Sequence, residues 1–167
     1  MKKIIIAIFL TIATLLITCN KKEGGKMDAP NNQFFENELF SDGQKAPEQI
    51  FTGNVWVKML VTDDNNVYNT QVYNVMFEAG ARTNWHSHPG GQLLFATKGT
   101  GYYQEKGKSA RLLKPGDVVE IPPNVNHWHG AAPNSDFIHF GMSTRTQDGP
   151  AEWFPAVTDE EYAEATK

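Results

Sequence analysis

The sequence predicts an all-β domain, built as a sandwich or barrel and followed by one short helix. From residue 51 onward, short runs rich in Val, Tyr, Phe and Leu are separated by turn residues at intervals of about eight to twelve residues, the spacing of such folds. The predicted strands are residues 54–61, 70–77, 82–88, 92–97, 101–105, 110–113, 117–121 and 136–142.

Turn residues and one helix signal support this order of elements. Clusters of Asp, Asn, Pro and Gly, which favour tight turns, occupy four of the gaps between predicted strands. They are Asp63-Asp64-Asn65-Asn66, Pro89-Gly90-Gly91, Lys106-Gly107 and Pro115-Gly116. Near the end, Thr158 followed three residues later by Glu161 predicts a capping box and a helix that runs to about Ala165.

Composition excludes several classes of protein. With 167 residues, the chain is long enough for one domain of ordinary size. Because 40% of the residues are hydrophobic and only 20% are charged, a packed core is expected rather than disorder. The net charge of −4, without a basic cluster beyond the N-terminus, argues against nucleic-acid binding. A single cysteine excludes a disulfide framework, so any metal must be held by His, Asp, Glu or Gln.

The N-terminus has the features of an export signal. Lys2 and Lys3 precede an apolar run over residues 4–17, which is shorter than the roughly 20 residues of a membrane-spanning helix. The segment Leu16-Ile17-Thr18-Cys19 resembles a bacterial lipobox, which implies cleavage after residue 18 and lipidation of Cys19. The alternative is an ordinary secretory leader with an incidental cysteine. In both cases we expect an exported protein; lipidation would anchor it in the bacterial cell envelope, with its domain outside the cytoplasm.

These signals predict four regions. Residues 1–18 form the signal peptide, and residues 19–47, rich in Lys, Glu, Gly, Asn and Pro, form a lipidated N-terminus and flexible tether. The β-barrel covers residues 48–145, and residues 146–167 form a C-terminal extension with the short helix.

The histidines indicate a metal site. All five lie between His86 and His139, and His86 and His88 would share one face of a strand with Gln92. His127 and His129 repeat the two-residue spacing. A lone histidine is more often a hydrogen-bonded core or surface residue, but five in one β domain favour a shared interior site for a divalent ion.

Two motifs with characteristic spacing carry a family resemblance. The first consists of Gly80, His86, His88, Gln92 and Gly99, and it resembles the first cupin motif with Gln92 in the place of the usual Glu. This resemblance implies a single cupin β-barrel, also called a double-stranded β-helix or jelly roll.

The second motif follows at a typical interval. It consists of Gly116, Pro122, Asn124 and His127, with Asn124 where most cupins have Gly and Ala131 where Asn is common.

A narrower resemblance covers roughly residues 51–162. Segments such as Trp85-His86, Gly91-Gln92 and His127-Trp128-His129-Gly130 are similar to those of small bacterial cupins of the carboxymuconolactone decarboxylase type. That group includes manganese-dependent hydroxynitrile lyases. The resemblance implies that the metal ligands are His86, His88, Gln92 and His127, with His139 as the catalytic acid/base and His129 in the second shell or pocket wall.

The implied activity is the cleavage of a cyanohydrin to an aldehyde and cyanide, with His139 as general base. The implied cofactor is one divalent metal ion. Manganese is the expected ion, and iron, zinc, nickel and copper are the alternatives. A neutral Gln92 in place of Glu should leave the ion a stronger Lewis acid but less tightly held. The implied partners are a small-molecule substrate and a second copy in a homodimer, with no nucleic acid and with membrane contact only through the lipid.

Two other functions stay open at this point. One is a cupin dioxygenase that uses Fe, Ni or Cu, and the other is an envelope lipoprotein that binds a small ligand without turnover. Strand alternation predicts that Trp85 and Trp128 point away from the metal and only pack. Arg82 is expected to be an exposed strand residue.

Overall fold

The computed structural model describes residue 40 and residues 43–167, and these form two curled antiparallel sheets that close into a barrel. The strands and the helix are β1 Gln44–Lys45, β2 Phe51–Thr52, β3 Val55–Val61, β4 Thr70–Phe77, β5 Arg82–Thr83, β6 His86–Ser87, β7 Gln92–Gly99, β8 Gly101–Glu105, β9 Arg111–Leu113, β10 Val118–Ile121, β11 His127–Ala131, β12 Phe137–Thr144, β13 Glu152–Trp153 and α1 Asp159–Ala165. The all-β prediction with one short C-terminal helix is confirmed. The predicted signal peptide, the lipidation of Cys19 and most of the predicted tether lie outside the described residues. No described helix is long and apolar enough to cross a membrane.

One sheet has six strands in the order β1-β3-β4-β12-β7-β10. In the other sheet, β11 pairs with β5, β6 and β8. This sheet is extended by β13, which pairs with β6, and by β2, which pairs with β5. Apolar side chains from both sheets fill the interior, among them Phe77 and Phe137 from the six-stranded sheet and Leu113 from the other, each at most 1% exposed.

The predicted strand at residues 82–88 is divided into β5 and β6. Between them, the backbone N–H of Asn84 donates to the carbonyl of Ile50 and the N–H of Phe154 donates to the carbonyl of Trp85. Because segments from both flanks of the barrel use these backbone groups, the ladder to β11 is interrupted here.

Several short strands were not predicted. The largest is β11, whose five residues pair in full with β8, and its sequence His-Trp-His-Gly-Ala is not rich in strand-forming residues. Flanking segments also join the sheets: β1 pairs with β3, and β13 pairs with β6. Two residues of the predicted tether and two of the predicted extension therefore lie in sheets.

The C-terminal helix covers the outer face of β11. Thr158 is its N-cap and both hydrogen bonds of the predicted capping box are present, so that prediction is confirmed. Trp85, Trp128, Val157 and Tyr162 form an apolar cluster beneath the helix, separate from the barrel core. The two tryptophans therefore face away from the barrel interior, as alternation predicted.

The expectation for Arg82 was wrong. Arg82 is only 5% exposed, and its guanidinium lies 4.6 Å from the ring centre of Tyr162. It donates to the carbonyl of Val157 at 3.0 Å and pairs with Asp159 at 2.6 Å. The C-terminal segment folds back over β5, a contact that the local strand pattern cannot reveal.

Candidate metal centre

Strand pairing brings the histidines of separate segments together inside the barrel. His127 lies directly opposite His86 in the ladder between β11 and β6, so both side chains are on the same face. His129 follows two residues later on β11, and His139 lies on the inner face of β12. Asn124, which stands at a motif position usually held by Gly, has a φ of 62°, a left-handed conformation that Asn adopts more readily than most residues.

Three of these histidines form a tight group. One ring nitrogen each of His86, His127 and His129 lies within 4.8 Å of the others, and all three residues are buried. The ring centre of His88 lies 5.3 Å from that of His86 and 6.0 Å from that of His127. His129, which the sequence predicted in the second shell or pocket wall, is a member of this group together with the predicted ligands His86 and His127, and it also lines the cavity described below. In a cupin-type barrel, such a group indicates a divalent metal site.

Backbone carbonyls orient two of the rings. Nδ1 of His86 lies 3.0 Å from the carbonyl of Asn84, and Nδ1 of His127 lies 2.9 Å from that of Val125. A carbonyl can only accept, so each Nδ1 carries the proton and each Nε2 keeps a lone pair. This is the arrangement in which a neutral imidazole binds a metal through Nε2.

Gln92 completes a set of groups that fits a cation. Its Nε2 donates to the hydroxyl of Tyr73 at 2.6 Å, so its Oε1 faces Nε2 of His127 at 2.9 Å. Two lone pairs therefore point at each other in the protein interior. Two ligand atoms in neighbouring positions on one octahedral ion, each about 2.1 Å from it, are also about 3 Å apart. The residues present fit a divalent ion at this place.

Burial keeps the histidines neutral. It lowers the pKa of His88, His127 and His139 to about 4 and holds the pKa values of His86 and His129 well below the usual range. Neighbouring histidines lower the pKa of His86, His88 and His129 further. Neutral rings are the form that binds metal, so no proton has to leave at neutral pH.

Among the described residues, the ring nitrogens of His129 and His139 make no hydrogen bond of ordinary geometry; a contact with the backbone of Phe140 acts to raise the pKa of His139, against the larger effect of burial. Their rings meet edge to face with centres 4.8 Å apart, and His139 stacks on Phe77. Because a buried polar atom without a partner costs about 1–3 kcal/mol, four such atoms indicate a site that is completed by something it binds.

The group opens into a cavity of about 670 Å³, a size that holds a small organic molecule. His86, His88, Gln92 and His129 line its polar end. Apolar side chains, including Phe51, Val57, Val75 and Trp153, line much of the remaining wall, and polar residues such as Lys45, Asp63 and Gln71 also line it. His139 is completely buried and lies behind His129 rather than in the cavity wall.

Sequence reasoning missed some residues of the pocket. Tyr73 and Ser143 both contact predicted ligands, and Trp153 stacks on His86 with ring centres 4.8 Å apart. The alternation of β4 could have placed Tyr73 inside, since it has the parity of Val75 and Phe77.

Comparison with known proteins gives the family. Residues 73–138 match the cupin domain family model. The chain is 40% identical over 118 residues to (R)-mandelonitrile lyase from Granulicella tundricola, an alignment that covers 71% of this chain and 89% of that protein. A crystal structure of a cupin-like protein from Thermotoga maritima is 64% identical, with a TM-score of 0.78 over 78% of this chain and 98% of that one.

A more distant structure shares the fold. The cupin 2 conserved barrel domain protein from Rhodopseudomonas palustris is 18% identical, with a TM-score of 0.55 over 74% of this chain and 79% of that one. The spacing of the two motifs, the barrel and these similarities agree: the chain belongs to the cupin family.

Proposed function

We propose that this protein is a metal-dependent lyase that cleaves a cyanohydrin to an aldehyde and hydrogen cyanide. The observation that carries the proposal is the buried histidine group at the polar end of an apolar cavity, in a chain 40% identical to a mandelonitrile lyase. The proposed metal ligands are His86, His88, Gln92 and His127, and the proposed ion is Mn²⁺.

The cavity suits an aromatic cyanohydrin. Phe51, Val57 and Val75 would contact the aromatic ring, and the hydroxyl would lie at the histidine end. When bound there, a divalent ion supplies Lewis-acid stabilisation of the negative charge that develops on the substrate oxygen.

The two unpartnered histidines provide the proton chemistry. His139, neutral because burial lowers its pKa to about 4, accepts the hydroxyl proton through His129, which lines the cavity and whose ring centre lies 4.8 Å from that of His139. As the bond between the carbinol and nitrile carbons breaks, its electron pair leaves with cyanide and the oxygen becomes the aldehyde carbonyl. The protonated imidazole then returns the proton to cyanide, which balances the reaction.

The test is benzaldehyde release from mandelonitrile by the purified protein loaded with Mn²⁺, measured separately for the two enantiomers. We expect turnover that depends on the metal and falls by about 10²- to 10⁴-fold in His139→Ala, the usual contribution of a general base. Ile138→Ala is the matched control, because Ile138 is the neighbouring buried residue on β12 but carries no imidazole. It should retain turnover.

The other outcomes separate the remaining functions. If one metal binds per chain but mandelonitrile is not cleaved above the rate of the free ion, the lyase proposal is wrong. Oxygen consumption with phenolic or thiol substrates would then favour a dioxygenase. Ligand binding without turnover, unchanged in His139→Ala, would favour a binding protein.

A further inference from the structure

A row of hydrogen bonds connects two of the proposed metal ligands. Gln92 Nε2 donates to the Tyr73 hydroxyl at 2.6 Å, this hydroxyl lies 3.0 Å from Ser143 Oγ, and Ser143 Oγ lies 3.2 Å from Nδ1 of His88. Neither Tyr73 nor Ser143 belongs to the predicted site. This row of hydrogen bonds runs from the six-stranded sheet to His88, which directly follows β6 of the other sheet.

The sheet register explains how these groups meet. Ser143 lies directly opposite Gln92 in the ladder between β12 and β7. Tyr73 lies opposite Gly141 in the ladder between β12 and β4, one inward-facing position away from Ser143. A Cβ atom at position 141 would overlap the Tyr73 ring. The missing side chain of Gly141 thus leaves room for the Tyr73 ring, whose hydroxyl contacts Gln92.

The Tyr73 hydroxyl is the partner of the end of the Gln92 amide that faces away from the histidines. It can donate its own proton to Ser143 Oγ at 3.0 Å, which leaves its oxygen free to accept from Gln92 Nε2. Only the amide nitrogen can donate, so a hydrogen bond from it to Tyr73 leaves Oε1 facing His127 at 2.9 Å. Without the hydroxyl, Nε2 would lose its partner. The amide could then rotate and donate to the Nε2 lone pair of His127, which would remove two metal-ligating atoms at once.

We propose that Tyr73 is a positioning residue that keeps Oε1 of Gln92 turned toward the histidine group and, through Ser143, holds the ring of His88. This inference rests on the metal site of the proposed function. It assigns to Tyr73, Ser143 and Gly141 a role in metal binding that no cupin motif position specifies.

The test measures metal binding rather than turnover. Mn²⁺ is titrated calorimetrically into metal-stripped protein, and the visible spectrum of the Co²⁺-loaded protein is recorded. In Tyr73→Phe we expect Kd to rise about 10- to 100-fold, the usual cost of removing a group that orients a ligand, and the Co²⁺ spectrum to change. Tyr162→Phe is the matched control, since it also deletes a buried phenol hydroxyl, which donates to the Ala131 carbonyl at 2.7 Å on the outer side of the barrel. Its Kd and spectrum should equal those of the wild type.

A second pair of variants tests the orientation itself. A glutamate at position 92 has two equivalent oxygens and no nitrogen end, so it cannot turn the wrong way. Tyr73→Phe should therefore raise Kd by no more than about threefold in a Gln92→Glu background, against 10- to 100-fold in the wild type. Gly141→Ala should reproduce Tyr73→Phe in metal affinity, because it displaces the same ring.

Each failure has a distinct meaning. Suppose that the wild type binds one ion per chain, that His127→Ala abolishes binding, and that Tyr73→Phe leaves the Kd and the Co²⁺ spectrum unchanged. The proposed metal site then stands, and this inference is wrong. If Tyr73→Phe raises Kd equally in both backgrounds, Tyr73 acts as scaffold and the orientation argument is wrong. If the wild type binds no divalent ion, both the proposed function and this inference fall.

Discussion

The two faces of β11 differ in a way that separates stability from function. On the inner face, His127 and His129 are buried among other histidines, and both ring nitrogens of His129 lack a hydrogen-bond partner within the part of the chain that the structure describes. On the outer face, Trp128 is completely buried under the C-terminal helix, and its Nε1 donates to Gln104 at 2.7 Å. Residues adjacent in sequence thus lie in an incomplete polar site and in a satisfied apolar cluster. The outer face stabilises the barrel, whereas the inner face costs stability that binding would recover.

The largest effect is expected from the outer face. Trp128→Ala removes a fully buried aromatic side chain and should lower the free energy of unfolding by about 3–5 kcal/mol. Denaturant unfolding of the metal-free protein measures this loss. At temperatures where the variant stays folded, its affinity for Mn²⁺ should be unchanged. A tenfold weaker affinity for Mn²⁺ would show that the two faces of β11 are energetically coupled, and it would contradict the separation of stability from function.

Acid should act through the inner face. Burial lowers the pKa of His88, His127 and His139 to about 4, against an ordinary value of 6.5. The unfolded chain therefore binds more protons between these values, so stability is complete above pH 6.5 and is lost as the pH falls toward 4. The melting temperature of the metal-free protein should fall progressively as the pH is lowered through this window. A flat profile would contradict neutral burial of these rings.

Replacing an unpartnered histidine should stabilise the fold. In His139→Leu, an apolar side chain takes the place of a buried ring with two unsatisfied nitrogens. We expect the metal-free variant to gain about 1–3 kcal/mol in unfolding free energy, while mandelonitrile cleavage is lost. Thermal unfolding and the benzaldehyde assay together check this. Destabilisation by the same amount would mean that His139 has a structural role.

The charge of the inner face should control metal affinity. Gln92→Glu adds a negative charge beside three neutral imidazoles, so Mn²⁺ should bind about tenfold more tightly, a gain of about 1.4 kcal/mol. Calorimetric titration of the metal-stripped proteins measures it. Equal or weaker binding would show that the neutral amide does not weaken metal binding.

The smallest effect is expected at the helix that covers the outer face. Thr158→Ala removes the N-cap of α1, whose side chain accepts a hydrogen bond from the backbone of Glu161, and should cost about 1 kcal/mol. Chemical denaturation measures the loss. Metal affinity should not change, because the helix packs on the outer side of the barrel, where Tyr162 contacts Trp128.

Sequence reasoning was most successful where structure is local. It predicted β4 at residues 70–77 and β8 at residues 101–105 with the observed bounds, and both bonds of the capping box. Alternation and capping depend on residues within a few positions of each other, so one segment carries the whole signal. The division of residues 82–88 was missed because the groups that interrupt the strand come from Ile50 and Phe154.

The site shows the same limit. Motif spacing indicated the histidines and Gln92, and that they would share an interior. It did not reveal that His129 lies in the tight group, nor that Tyr73 holds Gln92. Both depend on which strands pair and in what register.

The sequence by itself determined the class of fold, the cupin motifs and the concentration of histidines in the candidate metal site, since these follow from residue types and short spacings. Only the tertiary structure decided that Oε1 of Gln92 faces His127, 35 residues away, and that Arg82 is buried against Asp159, 77 residues away. The physical reason is that hydrogen bonds form within about 3 Å, and no local pattern specifies which distant groups the register of two sheets brings to that distance.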